Sequence, residues 1–185
     1  MLIAFTGAQS SGKSTLLQEC KKLEEFKGYT FIDEVTRRIK RTHGVEINNS
    51  AANYDYTQTL IIADHLNNLK LKNAVLDRCL FDSYVYTWYL YTEDKVSNSV
   101  YDFACSIYSE YYSKYDIIFY TDPNIPLVSD GERSDDVVFR NRIIQKFAAE
   151  LKYVQKLIVL SGTVEERVKT IKESLKLKQV ANDLL

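Results

Sequence analysis

The sequence predicts an α/β protein in which a parallel sheet is covered by helices on both faces. Short apolar runs of strand length alternate along the chain with longer segments whose apolar residues recur at helical spacing. The runs are apolar almost throughout, as expected for parallel strands that are buried on both faces. Only 2 Pro and 6 Gly occur among 185 residues, which disfavours a long linker. We therefore expect a single domain over residues 1–185.

Five strands and seven helices follow from this pattern. We predict strands over residues 1–6, 29–33, 74–77, 115–121 and 156–161. Helices are predicted over residues 14–26, 34–42, 55–71, 81–91, 100–112, 137–153 and 165–177. In the third helix, the predicted buried side carries Leu60, Ile61, Ala63, Leu66, Leu69 and Leu71. Ligands of such sheets bind where the strands end, so the candidate site residues are those directly after each strand.

Charge balance, cysteine spacing and the lengths of the apolar runs exclude several kinds of binding partner and location. The 24 basic residues nearly cancel the 25 acidic ones, which disfavours a nucleic-acid coat or a polybasic membrane anchor. Three widely spaced cysteines form neither a disulfide framework nor a CxxC metal motif. The apolar N-terminal run is too short for a signal peptide, and no run approaches the length of a membrane-spanning helix. We expect a cytoplasmic protein that does not bind membranes.

The segment after the first strand carries a phosphate-binding motif. Residues 7–15 read GAQSSGKST and match the pattern G-x-x-x-x-G-K-[ST]. The glycines let the backbone approach phosphate, while the loop N–H groups and the helix N-terminus attract the anion. Lys13 is expected to reach the β- and γ-phosphates of ATP, and Ser14 to bind Mg²⁺. The residues expected to contact ATP here are Gly7, Gln9, Ser10, Ser11, Gly12, Lys13, Ser14 and Thr15.

The third strand ends in an acid followed by a base. Asp77 is expected to hold Mg²⁺ across the site from Ser14, directly or through water. Arg78 is expected to bind the acceptor or the transferred phosphoryl group. Asp82 follows in the same strand-end segment and is predicted to bind substrate. The alternative is a helix N-terminus that merely carries an acid and an arginine.

The second strand ends in two carboxylates followed by arginines. Glu34 is our first candidate for the group that deprotonates or orients an acceptor hydroxyl, and Asp33 is the second. Asp33, Arg37 and Arg38 are predicted to contact the acceptor. The alternative treats Asp33 as a helix cap and the arginines as a solvated helix face.

Two further segments are candidates for substrate contacts. Gln58, on the third helix, could hydrogen-bond the acceptor, although a polar helix residue is more often solvated. Residues 123–142 are predicted to form a lid that is mobile without ligand and closes over ATP. Either Arg133 or Arg140 would then contact the phosphates as a catalytic residue. The alternative for this segment is an ordinary exposed loop.

The order of these elements resembles the NadR-like nucleoside and nucleotide kinases of the P-loop class, which occur in bacteria and phages. The matching stretches are residues 3–15, 32–34 with Arg37, Gln58, 76–78, 122–123, 130–133 with Arg140, and 159–167. The pair formed by Asp77 and Arg78 is also similar to the motif of thymidylate and deoxynucleoside kinases. The resemblance implies a five-stranded parallel sheet of order 2-3-1-4-5, and it implies ATP and Mg²⁺ as cofactors. It also implies that Gly162 and its neighbours lie near the adenine.

Three functions are compatible with these observations. The leading hypothesis is phosphoryl transfer from ATP to a nucleoside or nucleoside monophosphate. The second is a kinase acting on a modified base or an end of DNA, which the near-neutral charge disfavours. The third is a regulatory ATPase that signals through a protein partner. A dimer is compatible with the sequence.

Overall fold

The computed structural model describes residues 1–44, 53–124 and 137–183 of the chain. The strands are β1 (Leu2–Thr6), β2 (Thr30–Ile32), β3 (Ala74–Asp77), β4 (Ile117–Thr121) and β5 (Leu157–Leu160). The helices are α1 (Lys13–Cys20), α2 (Val35–His43), α3 (Tyr54–Asn68), α4 (Leu80–Thr92), α5 (Asn98–Tyr111), α6 (Val137–Glu150) and α7 (Val164–Asp183). Short 3₁₀ turns lie at Glu24–Phe26, Tyr112–Lys114 and Leu151–Tyr153.

The five strands form one parallel sheet in the order β2-β3-β1-β4-β5, which confirms the predicted topology. β1 lies at the centre and pairs with β3 on one side and β4 on the other. The loop after β1 therefore emerges between the ends of β3 and β4. Because the strand order reverses beside β1, this end of the sheet holds the crevice in which α/β proteins bind ligands.

The sheet buries two apolar layers. Within β1, Leu2 and Ala4 face a layer that includes residues of α4 and α6, whereas Ile3 and Phe5 face a layer that includes residues of α1 and α7. This division follows from the strand pleat, which turns successive side chains to opposite faces. Because both faces are covered, every residue of β1 is buried and the strand is apolar almost throughout.

The third helix corrects one sequence prediction. The buried residues of α3 are Thr57, Gln58, Ile61, Ile62, His65 and Asn68. Ala63, expected inside, is exposed, and Leu60 and Leu66 are only half-buried. α3 packs against α2, α4 and α5, and the face that it buries carries four polar residues beside Ile61 and Ile62. The last helix also differs, since α7 continues to Asp183 rather than ending near residue 177.

None of the described helices is long and apolar enough to cross a membrane.

Candidate functional site

The loop after β1 has the backbone shape that its glycines permit. Gly7 has φ +135° and Gly12 has φ +84°, both in the region that side chains disfavour. A Cβ atom at Gly7 would lie 2.6 Å from the Thr121 hydroxyl and 2.9 Å from the Thr121 carbonyl oxygen. The same hydroxyl lies 2.6 Å from the hydroxyl of Ser11. The end of β4 therefore packs directly against the loop, and α1 begins at its last residues.

Lys13 lies beneath this loop. Its ammonium donates to the carbonyl oxygens of Gly7 and Ala8 at 2.8 and 2.7 Å, and to the Ser11 hydroxyl at 3.3 Å. Burial, followed by the positive charge of Arg78, lowers the pKa of Lys13 to about 7. An anion at the loop would favour the charged ammonium, because an opposite charge raises the pKa of a lysine.

Arg78 connects the loop to the end of β2. Its Nε donates to Glu34 at 2.7 Å, and one terminal nitrogen donates to the Gly7 carbonyl at 3.2 Å and to Asp82 at 3.0 Å. Its guanidinium also lies 5.0 Å from the centre of the Tyr86 ring. Burial opposes its charge, but Tyr86, Glu34 and Asp82 together raise the pKa of Arg78 well above its ordinary value. Arg78 is therefore a fixed cation between the loop and the Glu34 carboxylate.

The local backbone explains how Arg78 reaches this position. Its φ is +75°, which is uncommon for a residue with a side chain and marks a strained turn directly after β3. Asp82 stabilises this turn from α4, since one oxygen accepts the Cys79 N–H at 2.9 Å and completes a capping box. The other oxygen binds Arg78 and accepts a long 3.4 Å hydrogen bond from the Gly7 N–H. With 2% of its surface exposed, Asp82 holds Arg78 and the loop in place.

Asp77 and Asp33 lie on the side of the site that faces α1. Together with Ser14 they line a cavity of about 100 Å³. Asp77 Oδ1 is buried and has no hydrogen-bond partner among the described residues. Burial raises the pKa of Asp77, which Lys13 and Arg78 partly oppose. A buried carboxylate oxygen without a donor, in a cavity shared with the Ser14 hydroxyl, fits the oxygen ligands that Mg²⁺ prefers.

Of the residues predicted from the sequence to contact the acceptor, some lie at the site and others lie between helices. Arg37 lies 3.4 Å from Glu34, at the rim of the site. Arg38 instead binds Asp64 of α3, at 2.9 Å through Nε and 2.5 Å through a terminal nitrogen. Gln58 is buried and accepts a hydrogen bond from Thr87 of α4 at 3.2 Å. The structure thus places Glu34, Arg37 and Arg78 together, while Arg38 and Gln58 lie in the packing between helices.

Arg167 of α7 is a residue that the sequence analysis missed. It is 3% exposed and donates to three carbonyl oxygens, those of Gly162 at 3.0 Å, Ser11 at 3.0 Å and Asp122 at 3.1 Å. These carbonyls belong to the ends of β5, the phosphate loop and β4. Arg167 therefore ties the segment expected near the adenine to the segment expected around the phosphates. An arginine on a charged helix gives no sequence signal for this role, because such residues are usually exposed.

Tyr86 was missed as well, although a signal was present. Its hydroxyl accepts a 3.3 Å hydrogen bond from Arg78 and donates one of 3.3 Å to Gln9 of the loop. Tyr86 lies one helical turn after Asp82, so the two side chains share a face of α4. This spacing predicts that Tyr86 lies beside Asp82, and through it near Arg78, but it does not predict the contact with Gln9.

The predicted lid is described only in part. Residues 125–136, and with them Arg133, lie outside the described residues, so the lid and its closure stay a prediction. Arg140, at the start of α6, donates to the carbonyl oxygens of Gln9 at 3.2 Å and Pro123 at 2.9 Å. Its guanidinium therefore lies against the phosphate loop, and its contact with the phosphates stays a prediction.

Solved structures of several proteins share this fold. Deoxyadenosine kinase from M. mycoides with bound dATP has a TM-score of 0.62 and 18% identity, over 95% of this chain and 100% of that chain. NadR in complex with NR has a TM-score of 0.65 and 13% identity, over 94% of this chain and 50% of that chain. YorR from Bacillus subtilis, in complex with phosphorylated GDP, has a TM-score of 0.62 and 16% identity, over 97% of this chain and 98% of that chain.

These likenesses confirm the resemblance to NadR-like P-loop kinases at the level of the fold. No curated protein sequence is significantly similar to the chain. A family model, described as an AAA domain, matches residues 2–167 and so includes the phosphate loop, the strand-end carboxylates and Arg167. On this match the chain belongs to the AAA_28 family of AAA domains.

Proposed function

We propose that this protein is a kinase that transfers the γ-phosphoryl group of ATP to a hydroxyl of a nucleoside or nucleoside monophosphate. The observation that carries the proposal is the contact chain through Arg78. Its guanidinium binds the phosphate-loop carbonyl of Gly7 on one side and the Glu34 carboxylate on the other. Phosphoryl transfer requires that the bound phosphate lies next to a carboxylate that orients the acceptor hydroxyl.

Lys13 and the loop N–H groups bind the phosphates of ATP in this proposal. The Lys13 ammonium is held by loop carbonyls, within the loop that surrounds the phosphates. Its positive charge stabilises the negative charge that develops on the β- and γ-phosphates during transfer. Arg78 adds a second cation beside Gly7 and compensates the charge of the transferred group.

Glu34 orients the acceptor hydroxyl and accepts its proton. Its side chain is 12% exposed, and Arg78 and Arg37 hold the carboxylate at the end of β2.

Ser14 and Asp77 are the residues that would hold Mg²⁺, since both line the cavity beside the loop and Asp77 Oδ1 has no donor among the described residues. The ion supplies charge compensation for the β- and γ-phosphate oxygens. Arg167 keeps the Gly162 segment in place against the loop for the nucleotide base.

The test is a panel of nucleosides, nucleoside monophosphates and oligonucleotides, each incubated with labelled ATP and Mg²⁺. We expect transfer of label to a small-molecule acceptor, and no transfer by the folded Lys13→Ala variant. Label on oligonucleotides only would favour a nucleic-acid kinase. ATP hydrolysis that no acceptor stimulates would favour a regulatory ATPase.

Glu34→Gln separates acceptor chemistry from ATP binding. We expect turnover to fall on the order of 100- to 10,000-fold, because the amide cannot accept a proton efficiently, with little change in ATP affinity. Glu173→Gln, which alters an exposed carboxylate on α7, is the matched control and should behave as the wild type. An equal loss of ATP affinity in Glu34→Gln would instead make Glu34 a nucleotide-binding residue.

A further inference from the structure

The two consecutive carboxylates after β2 point to opposite sides of the sheet. β2 ends at Ile32, which is paired with Leu76, so Asp33 follows β2 beside Asp77, the last residue of β3. Adjacent strands lie about 4.8 Å apart, and paired residues point to the same face. Glu34 lies one residue further and turns to the other face, where it binds Arg78. The strand pleat thus separates the acceptor carboxylate from a second carboxylate on the side of α1.

Asp33 and Asp77 share the cavity with Ser14. Lys13 and Arg78 partly offset the charge of Asp77, whereas no described side chain forms an ion pair with Asp33. Asp33 makes no hydrogen bond or ion pair with any described residue, and Asp77 Oδ1 is buried without a partner among them. Like charges on adjacent strands destabilise each other. A pair of this kind at the end of a phosphate-binding loop is stable when a cation lies between or beside the two groups.

The cationic side chains at the rim of the cavity are engaged elsewhere. Arg37 lies 3.4 Å from Glu34 on the other side of the strand end. The Lys21 ammonium lies 5.5 Å from the centre of the Phe31 ring. Neither forms an ion pair with Asp33, so among the described residues no side-chain cation is paired with this carboxylate.

We propose that Asp33 contacts the metal ion indirectly, by binding a water molecule of the Mg²⁺ ion that Ser14 and Asp77 hold. This replaces the acceptor contact predicted for it from the sequence. Mg²⁺ keeps several of its waters in such sites, and the cavity of about 100 Å³ has room for several water molecules. Asp33 is exposed at the outer end of the cavity, where it contacts a coordinated water rather than the ion itself. The inference rests on the proposed function, since it needs the nucleotide to bring the metal to the loop.

The experiment measures binding of a non-hydrolysable ATP analogue by calorimetry, with and without Mg²⁺, so that no turnover is required. The quantity of interest is the factor by which Mg²⁺ tightens nucleotide binding. We expect Asp33→Asn to reduce this factor about 10-fold, because outer-shell groups of metal sites typically contribute 10- to 100-fold in metal affinity. Asp77→Asn should reduce it further. Asp102→Asn, on the exposed side of α5, is the matched control and should leave it unchanged.

The outcomes separate this inference from the proposed function. Wild-type protein that binds the analogue with Mg²⁺, together with an unchanged Mg²⁺ factor in Asp33→Asn, overturns the role of Asp33 alone. Wild-type protein that does not bind the analogue overturns the proposed function, and the role of Asp33 with it. An Asp33→Asn variant that loses nucleotide affinity equally with and without Mg²⁺ also overturns the metal role. Thermal unfolding of each variant confirms that it is folded.

Discussion

Acidification from pH 7 to pH 5 is expected to destabilise the protein through His65. This side chain is 1% exposed on the inward face of α3, and its Nδ1 has no hydrogen-bond partner among the described residues. Burial lowers the pKa of His65 to about 4; Asp82 and Asp64 oppose the shift, while Arg78 and Arg38 add to it. The folded protein therefore keeps this imidazole neutral at pH values where the unfolded chain already binds a proton.

The size of the effect follows from the two pKa values. Well above pH 6.5 the imidazole is neutral in both states, so its contribution does not change with pH. As the pH falls below 6.5 the unfolded state gains a proton first, and the free energy of unfolding decreases. With pKa values of 6.5 unfolded and about 4 folded, the loss between pH 7 and pH 5 is about 2 kcal/mol. It levels off near 3 kcal/mol below pH 4, where the folded state also binds the proton.

The assay is urea denaturation at pH 7, 6 and 5 for the wild type and for His65→Asn, whose amide does not titrate. Carboxylates also titrate over this range, so the difference between the two proteins isolates the imidazole. We expect the variant to lose about 2 kcal/mol less than the wild type between pH 7 and pH 5. The control is His43→Asn, since His43 is the only other histidine and is exposed at the end of α2. Equal pH dependence of wild type and His65→Asn would refute the reasoning.

Two further predictions concern the phosphate loop. Gly7→Ala should cost on the order of 1–3 kcal/mol of stability and weaken ATP binding, because the new Cβ atom would lie 2.6 Å from the Thr121 hydroxyl. Gly28→Ala also has a positive φ but meets nothing within 4 Å, so a comparable loss in both variants would contradict the steric explanation. Arg167→Lys keeps the charge but replaces three donating nitrogens, which reach three separate carbonyl oxygens, by a single ammonium. Each charge-assisted hydrogen bond that is lost costs about 1.5–3 kcal/mol. We expect lower stability and faster amide exchange in the loop, whereas Arg142→Lys, between α4 and α6, should leave loop exchange unchanged.

Much of the fold follows from local patterns. The β3 bounds agree with the structure at both ends, and the bounds of the other strands differ from it by at most two residues. Apolar runs and helical spacing are properties of short segments, so they can be recognised without knowledge of the partners. The phosphate loop is similar in this respect, since its glycines and its lysine act within nine residues.

Local sequence patterns do not predict which face of α3 is buried. The most apolar stripe of the helix predicted Leu60, Ala63 and Leu66 inside, but the structure buries Gln58 and His65. Which stripe faces inward depends on the neighbouring helices, and here these bring polar groups of α4 and α2 next to α3. A polar interior is stable where hydrogen bonds replace water, as between Gln58 and Thr87.

By itself, the sequence determines the parallel α/β architecture, the phosphate loop and the position of Asp77, Arg78 and Glu34 at strand ends. Each of these depends on a repeating pattern or on residues that are close along the chain. Tertiary structure alone decides that Arg78 joins Glu34 to the loop, and that Arg167 ties the loop to the ends of β4 and β5. These contacts span 44 and 156 residues along the chain. Side chains so far apart meet only because parallel strands bring their carboxyl ends to one edge of the sheet, and no local pattern encodes which of them will touch.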